Sequence, residues 1–354
     1  VRAGGLRGLT SRLLRTPRRR RGVVLAIVAV AASTGVPVLI AGSTSVFTRL
    51  ATLPLWVIAG APLLMVAGWG ANAGRVAILA RANGRRLPFR HAWLVAAGGD
   101  FGAALGPGGL TGIAAYIFLL ARSGLGSAAA TALFALERLL DQLVFAAALA
   151  ASAAALALGS QHAHPWRLFG IAATLCAGLV FVILVALAQY RRLVRASAWT
   201  LARLRIGARR RWRFIRWSFL FRRGLGEVAA LPKGRLALIA LCAAGYWAAR
   251  FAILPLIAAG MHAPVPWGYL LAVQVIALFA GQLSLLPGGT ITVEAVFAGL
   301  LLPFLHRQDL GLMLLVWRGS VFYFTLVAGG ASFALATARG PAGAPVPRAS
   351  QRTT

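Results

Sequence analysis

The chain has 354 residues, of which 60% are hydrophobic and only 12% charged, at a mean hydropathy of +0.80. A soluble domain carries about 25% charge, so a water-soluble enzyme, a secreted domain and a disordered chain are excluded and a polytopic membrane protein is implied. Yet 37 Lys+Arg stand against 6 Asp+Glu, a net charge of +31 and a pI near 12.0, which has to be read region by region.

Residues 1–21 form a basic N-terminus with eight arginines. The apolar run 22–42 that follows has spanning length and no small-residue cleavage site, so it reads as an uncleaved first helix with its N-terminus inside. Further full spans are expected near 53–80, 127–157, 167–190, 236–259 and 310–336. Between them lie two shorter pairs, 91–106 with 108–121 and 267–286 with 288–305, each hinged on Pro-Gly-Gly. Arms of about 14–20 residues reach roughly 21–30 Å, marginal for a hydrocarbon core of about 30 Å. A Pro-Gly-Gly break also frees backbone groups that lipid cannot satisfy, so it belongs inside protein or against a wet cavity. Both pairs therefore read as hinged hairpins, re-entrant or fully spanning. The fold class expected is an all-α polytopic bundle, one transmembrane domain over 22–336, with a disordered tail at 337–354.

Positive charge fixes the orientation. Residues 1–21, the 81–90 loop, Arg122, residues 191–235 and the tail together hold 30 bases, while the opposite loops hold Arg49, Arg167 and Arg307. Both termini are expected in the cytoplasm, with the two hairpins entering from opposite faces. In 191–235, aromatics such as Trp199, Trp212, Trp217 and Phe221 alternate with arginines. Such a segment suits a helix lying on anionic lipid, or an ordinary basic cytoplasmic loop. Its two membrane tethers argue against a nucleic-acid partner. Cys176 and Cys242 lie in apolar runs and read as core residues, not a disulfide.

Pro107-Gly108-Gly109 and Pro287-Gly288-Gly289 are 180 residues apart, and so are Arg138 and Arg318. The order of long span, hinged hairpin and long span also recurs, matching 53–157 to 236–336. Opposite orientations would make these units an inverted repeat, a common plan among transporters.

Eight charges fall inside the expected spans and hairpins: Asp100, Glu137, Asp141, Glu294, Arg75, Arg138, Arg250 and Arg318. Each costs about 2.5–3.5 kcal/mol at the bilayer centre even on an insertion scale, so they should face inward and pair. Glu137 and Asp141 share a helix face at i,i+4 and need a cation or a proton between them; Arg318, from the symmetry-related helix, is the expected partner. Arg75 and Arg250 lie nearer span ends and are expected to snorkel. The inward charges read either as a polar translocation path or as ion pairs that hold two halves together. His91, His162, His164, His262 and His306 make no metal-ligand spacing, and no catalytic motif or cofactor loop occurs, so no enzyme chemistry and no cofactor are expected.

Two short runs resemble a known family. Leu136-Glu137-Arg138-Leu139-Leu140-Asp141 and Leu286-Pro287-Gly288-Gly289-Thr290-Ile291-Thr292-Val293-Glu294-Ala295 are similar to marks of the flippase-like, lysylphosphatidylglycerol-synthase transmembrane family. The order of spans agrees over about 53–336. The resemblance implies movement of a lipid, or of an aminoacyl- or polyprenyl-linked headgroup, between leaflets of a bacterial inner membrane. It carries Glu137, Arg138, Asp141, Glu294, Arg318 and, as hinges, Pro287, Gly288 and Gly289 onto the family pattern. Two positions depart from it: Ile113 stands where an acid often follows the first hinge, and Ile291 where the second often has Gly. The chain runs only a short way past the last span, so any synthase or glycosyltransferase is expected as a separate partner. Two other readings of the same residues are an accessory subunit of a lipid-modifying enzyme, which would copurify with it through 191–235, and a proton-coupled small-solute transporter using Glu137 and Asp141.

Overall fold

A computed structural model describes residues 31, 33–42, 46–106, 110–158, 166–204, 207–284, 286–338 and 344–345. The chain is helical nearly throughout. Helix α1 (33–41) and the short α2 (Val46–Leu50) precede α3 (Leu55–Ala82). The first hairpin is α4 (Phe89–Leu105) and α5 (Leu110–Leu120), followed by α6 (Ser127–Leu158) and α7 (Trp166–Ala188). The basic segment forms α8 (Tyr190–Arg203) and α9 (Ala208–Ala229). Then come α10 (Lys233–Gly260, with a turn at Ala252), the second hairpin α11 (Trp267–Leu283) and α12 (Thr292–Leu301), and α13 (Arg307–Ala338). Among the described residues, α3, α10 and α13 are long and apolar enough to cross a membrane. Among the described residues, one strand pairing joins Arg85–Arg86 to Ala344–Pro345.

Proline sets several helix starts. Pro54, Pro88, Pro232 and Pro266 stand immediately before α3, α4, α10 and α11 at φ near −60°, where a missing N–H costs nothing. Pro54 and Pro232 open equivalent spans 178 residues apart, and Pro88 and Pro266 open equivalent hairpins at the same offset. The expected repeat is thus marked at two further pairs of positions.

The two repeats meet along α3 and α10, which run antiparallel. A Cβ on Gly60 would lie 3.2 Å from Leu256, one on Gly68 3.3 Å from the Tyr246 carbonyl, and one on Gly74 3.3 Å from Cys242 Sγ. Numbers rise on one helix as they fall on the other, as an inverted pair requires. Small residues let the backbones approach closely, the usual way helices associate where lipid gives no hydrophobic drive. Each hairpin then packs on the last helix of the other repeat, α4 on α13 and α11 on α6.

Loops gather at two ends of the bundle. At one end Arg122 Nη2 donates to the Thr337 carbonyl at 2.7 Å, and a Cβ on Gly224 would lie 3.0 Å from Asn83. At the other, Arg49 Nη2 pairs with Asp309 at 2.5 Å, and Gly311 lies against α1 at Pro37 and Ala41. Each hairpin enters and leaves by one end, the first where the basic loops collect and the second at the opposite end. The arms run Phe89–Leu105 and Leu110–Leu125 in the first hairpin and Trp267–Leu283 and Pro287–Leu301 in the second, about 22–26 Å each and short of a hydrocarbon core of about 30 Å. The hairpin tips meet inside the bundle: α4 packs against Pro287–Gly289, and Phe322 contacts both Ala104 and the Gly288 position. Pro107, Gly108 and Gly109 lie outside the described residues, as do 1–21 and nearly all of the tail.

Candidate functional site

The second hinge is built by conformation as well as composition. Gly288 and Gly289 both have positive φ, 62° and 67°, and a Cβ would fall 2.5 Å from Phe322 at the first and 2.9 Å from the Gly281 Cα at the second. Thr290 Oγ1 donates to the Pro287 carbonyl at 2.6 Å, and Thr292 Oγ1 donates to Ser284 Oγ at 3.0 Å. Ile291 takes φ 71°, ψ −48°, a strained conformation for a β-branched residue. That explains why glycine suits this position.

Arg318, on α13, holds the hinge. Its Nε donates to Glu294 Oε1 at 2.6 Å and its Nη1 to the Gly288 carbonyl at 2.8 Å. Both side chains are essentially unexposed. Two π-helical turns, Gly319–Tyr323 and Thr325–Gly329, follow directly, a departure often found at functional positions.

The second cluster joins α3 and α6. Arg75 Nη1 donates to Asp141 Oδ1 at 2.7 Å, and its Nε lies 3.6 Å from Glu137 Oε1. Asn72 accepts from Arg75 Nε at 3.0 Å, Tyr116 donates to Glu137 at 2.6 Å, and Trp247 Nε1 donates to Asp141 at 2.9 Å. Arg138 Nη2 stands 2.7 Å from Asp141 Oδ2. In the third cluster Arg250 pairs with Asp100, which also accepts from Trp69 Nε1 at 2.7 Å and from the Tyr246 hydroxyl at 3.1 Å. Four acids and four bases thus cancel in three local groups.

Two expectations need correction. Arg318 does not sit between Glu137 and Asp141; Arg75 does. Arg318 is spent on its own hairpin, because Glu294 lies one turn beyond the hinge that it clasps. Nor do Arg75 and Arg250 snorkel: Arg75 is 0% exposed and Arg250 11%. Arg75 faces α6, not lipid, and α10 continues to Gly260, which leaves Arg250 well inside the helix. The aromatic donors Trp69, Tyr116, Tyr246 and Trp247 were not anticipated at all. Their signal is an indole or phenol tip in an apolar run at the depth of an acid, since such tips need a partner when buried.

A cavity of about 950 Å³ opens between the repeats. Asp100, Glu137, Arg138, Arg250 and Arg318 line it, together with hinge residues Gly288 and Gly289. Arg75, Asp141 and Glu294 pack behind its wall. Arg138, 36% exposed, is the most accessible of the eight charges. Tyr190, Trp217 and Phe221 border the cavity from α8 and α9 as a stack with centroid spacings of 5.5 and 5.6 Å. All six polar candidates are accounted for: four line the cavity, and two brace the residues that do.

No curated protein sequence matches the chain. The profile of the lysylphosphatidylglycerol synthase TM region does, over residues 23–329, a stretch that contains both hinges, all eight inner charges, the whole first repeat and the second as far as residue 329. This membrane protein belongs to the lysylphosphatidylglycerol synthase transmembrane-region family.

Proposed function

We propose that the protein is a lipid translocase of the bacterial inner membrane. It moves the headgroup of a phospholipid, an aminoacyl-lipid or a polyprenyl-linked lipid between leaflets while the acyl chains stay in the bilayer. The observation that carries this reading is the cavity where two oppositely inserted hairpins meet, walled by Arg138 and Arg318 in equivalent places of the two repeats. A phosphate requires concentrated donors away from water, and broken helices beside arginines supply them. The basic loops support an orientation with both termini in the cytoplasm. There α8 and α9 lie on anionic lipid, with Trp212 and Phe219 exposed among arginines.

Reconstituted in liposomes with fluorescent lipid, the protein is expected to scramble label between leaflets. Arg318→Ala should abolish scrambling, and Arg138→Ala, which keeps the hinge intact, should slow it strongly. Unchanged scrambling in both variants, at wild-type stability, would refute the proposal.

A further inference from the structure

From the charge arrangement of the cavity, and resting on the translocase reading, we infer that its ligand is a net-neutral zwitterionic headgroup: a phosphodiester joined to an ammonium. Three observations carry this. First, the cavity brings no net charge of its own. Arg75 and Arg138 balance Glu137 and Asp141, Arg250 balances Asp100, and Arg318 balances Glu294. A headgroup with net charge of either sign would enter a membrane-buried space with nothing left to compensate it, whereas a zwitterion brings both charges together.

Second, both kinds of polar atom at the cavity lack a partner among the described residues. On the donor side these are Arg318 Nη2, Arg138 Nε, Arg250 Nε and Gln282 Nε2; on the acceptor side Gln142 Oε1; and Thr325 Oγ1 can serve as either. All six residues line the cavity, and Arg318 and Gln142 are 1% and 2% exposed. Phosphodiester oxygens take donors only. An ammonium takes acceptors and ring faces, and the wall offers the Asp100 and Glu137 carboxylates beside Tyr246 and Trp247.

Third, two of the four donors sit apart from the acceptors, while Arg138 and Arg250 lie beside them. The donors Arg318 and Gln282 flank the second hinge, while Asp100, Glu137 and Gln142 come from α4 and α6 of the other repeat. A headgroup with its two charges apart spans that division. The same chemistry exists in a free glycerophosphodiester. The apolar remainder of the wall and the Tyr190, Trp217 and Phe221 border favour the lipid form, whose acyl chains need an apolar exit.

The test is competitive native mass spectrometry of the full chain in maltoside micelles. The probes are equal amounts of dihexanoyl-phosphatidylcholine, dihexanoyl-phosphatidylglycerol and dihexanoyl-ethylphosphocholine, which are zwitterionic, anionic and cationic. The zwitterion is expected to occupy the protein about tenfold more than either charged lipid. Arg138→Gln removes a positive charge and should shift the ranking toward the cationic lipid; Asp100→Asn should shift it toward phosphatidylglycerol. These are ratios within one folded sample, so partial unfolding of a variant does not blur them. A charged lipid that equals or beats the zwitterion, no binding of any lipid, or rankings unmoved in both variants would overturn the inference. Glycerophosphocholine binding as tightly as the lipid would overturn the lipid form. Vesicles with acyl-labelled versions separate the two claims. Selective binding without scrambling removes the translocase and keeps the headgroup class. Scrambling that ignores headgroup charge removes the class and keeps the translocase.

Discussion

The two repeats place an arginine at equivalent positions and use it differently. Arg318, in the second repeat, is 1% exposed and ties Glu294 to the Gly288 carbonyl of its own hinge. Arg138, in the first, is 36% exposed and shares Asp141 with Arg75. Removing Arg318 would strand a buried carboxylate and a hinge carbonyl together. Removing Arg138 leaves Asp141 still held by Arg75 and Trp247. One repeat therefore has its arginine built into the scaffold, and the other leaves it accessible to the cavity. A duplicated framework can keep one copy rigid while the other meets the ligand.

Substitutions can break or sharpen this contrast. The largest effect is expected from Arg75→Leu, which leaves Glu137 and Asp141 buried with only Arg138 nearby. It should cost about 3–5 kcal/mol, read as a large drop in melting temperature in detergent. Next is the comparison itself. Arg318→Gln should destabilise by roughly 3 kcal/mol, and Arg138→Gln by about 1 kcal/mol or less, measured side by side by thermal unfolding. Equal losses would mean that the repeats do not divide the roles. Ile291→Gly should move stability the other way, since it relieves a positive φ worth about 1 kcal/mol or more. A fall in melting temperature would show that the exposed Ile291 side chain contributes more than the strain it imposes. Smallest is Arg49→Ala. Its pair with Asp309 is part-exposed at 38% and 30%, so the change should stay under about 1 kcal/mol and fade in high salt.

Much of the architecture was legible because hydropathy and proline report local facts. The span expected at 53–80 is α3 over Leu55–Ala82, and the one at 310–336 is α13 over Arg307–Ala338. The second hinge was legible too, since Pro-Gly-Gly in an apolar run has few other uses. Prolines 54, 88, 232 and 266 carried a further repeat signal that composition obscured. The pairing of charges was not legible. Which base meets which acid depends on how each helix is rotated and on which neighbour it faces, and spacing along one chain fixes neither. Arg75 and Asp141 are 66 residues apart, and nothing local distinguishes that match from Arg318 with Asp141. Distance from a span end misled for the same reason, because it measures depth and not direction.

The seam between α3 and α10 has a mechanical consequence. Gly60, Gly68, Ala71 and Gly74 oppose Leu256, Ala249, Gly245 and Cys242, so the line of contact presents few protruding side chains to interlock. Polar links fasten the halves beside it: Tyr246 and Arg250 grip Asp100, and Trp247 grips Asp141. The seam is a smooth bearing with two catches, both on one stretch of α10 and both at the edge of the cavity. Under the proposed function, a headgroup that competes for Asp100 would loosen a catch by arriving, which would couple occupancy to the freedom of the two halves through one carboxylate.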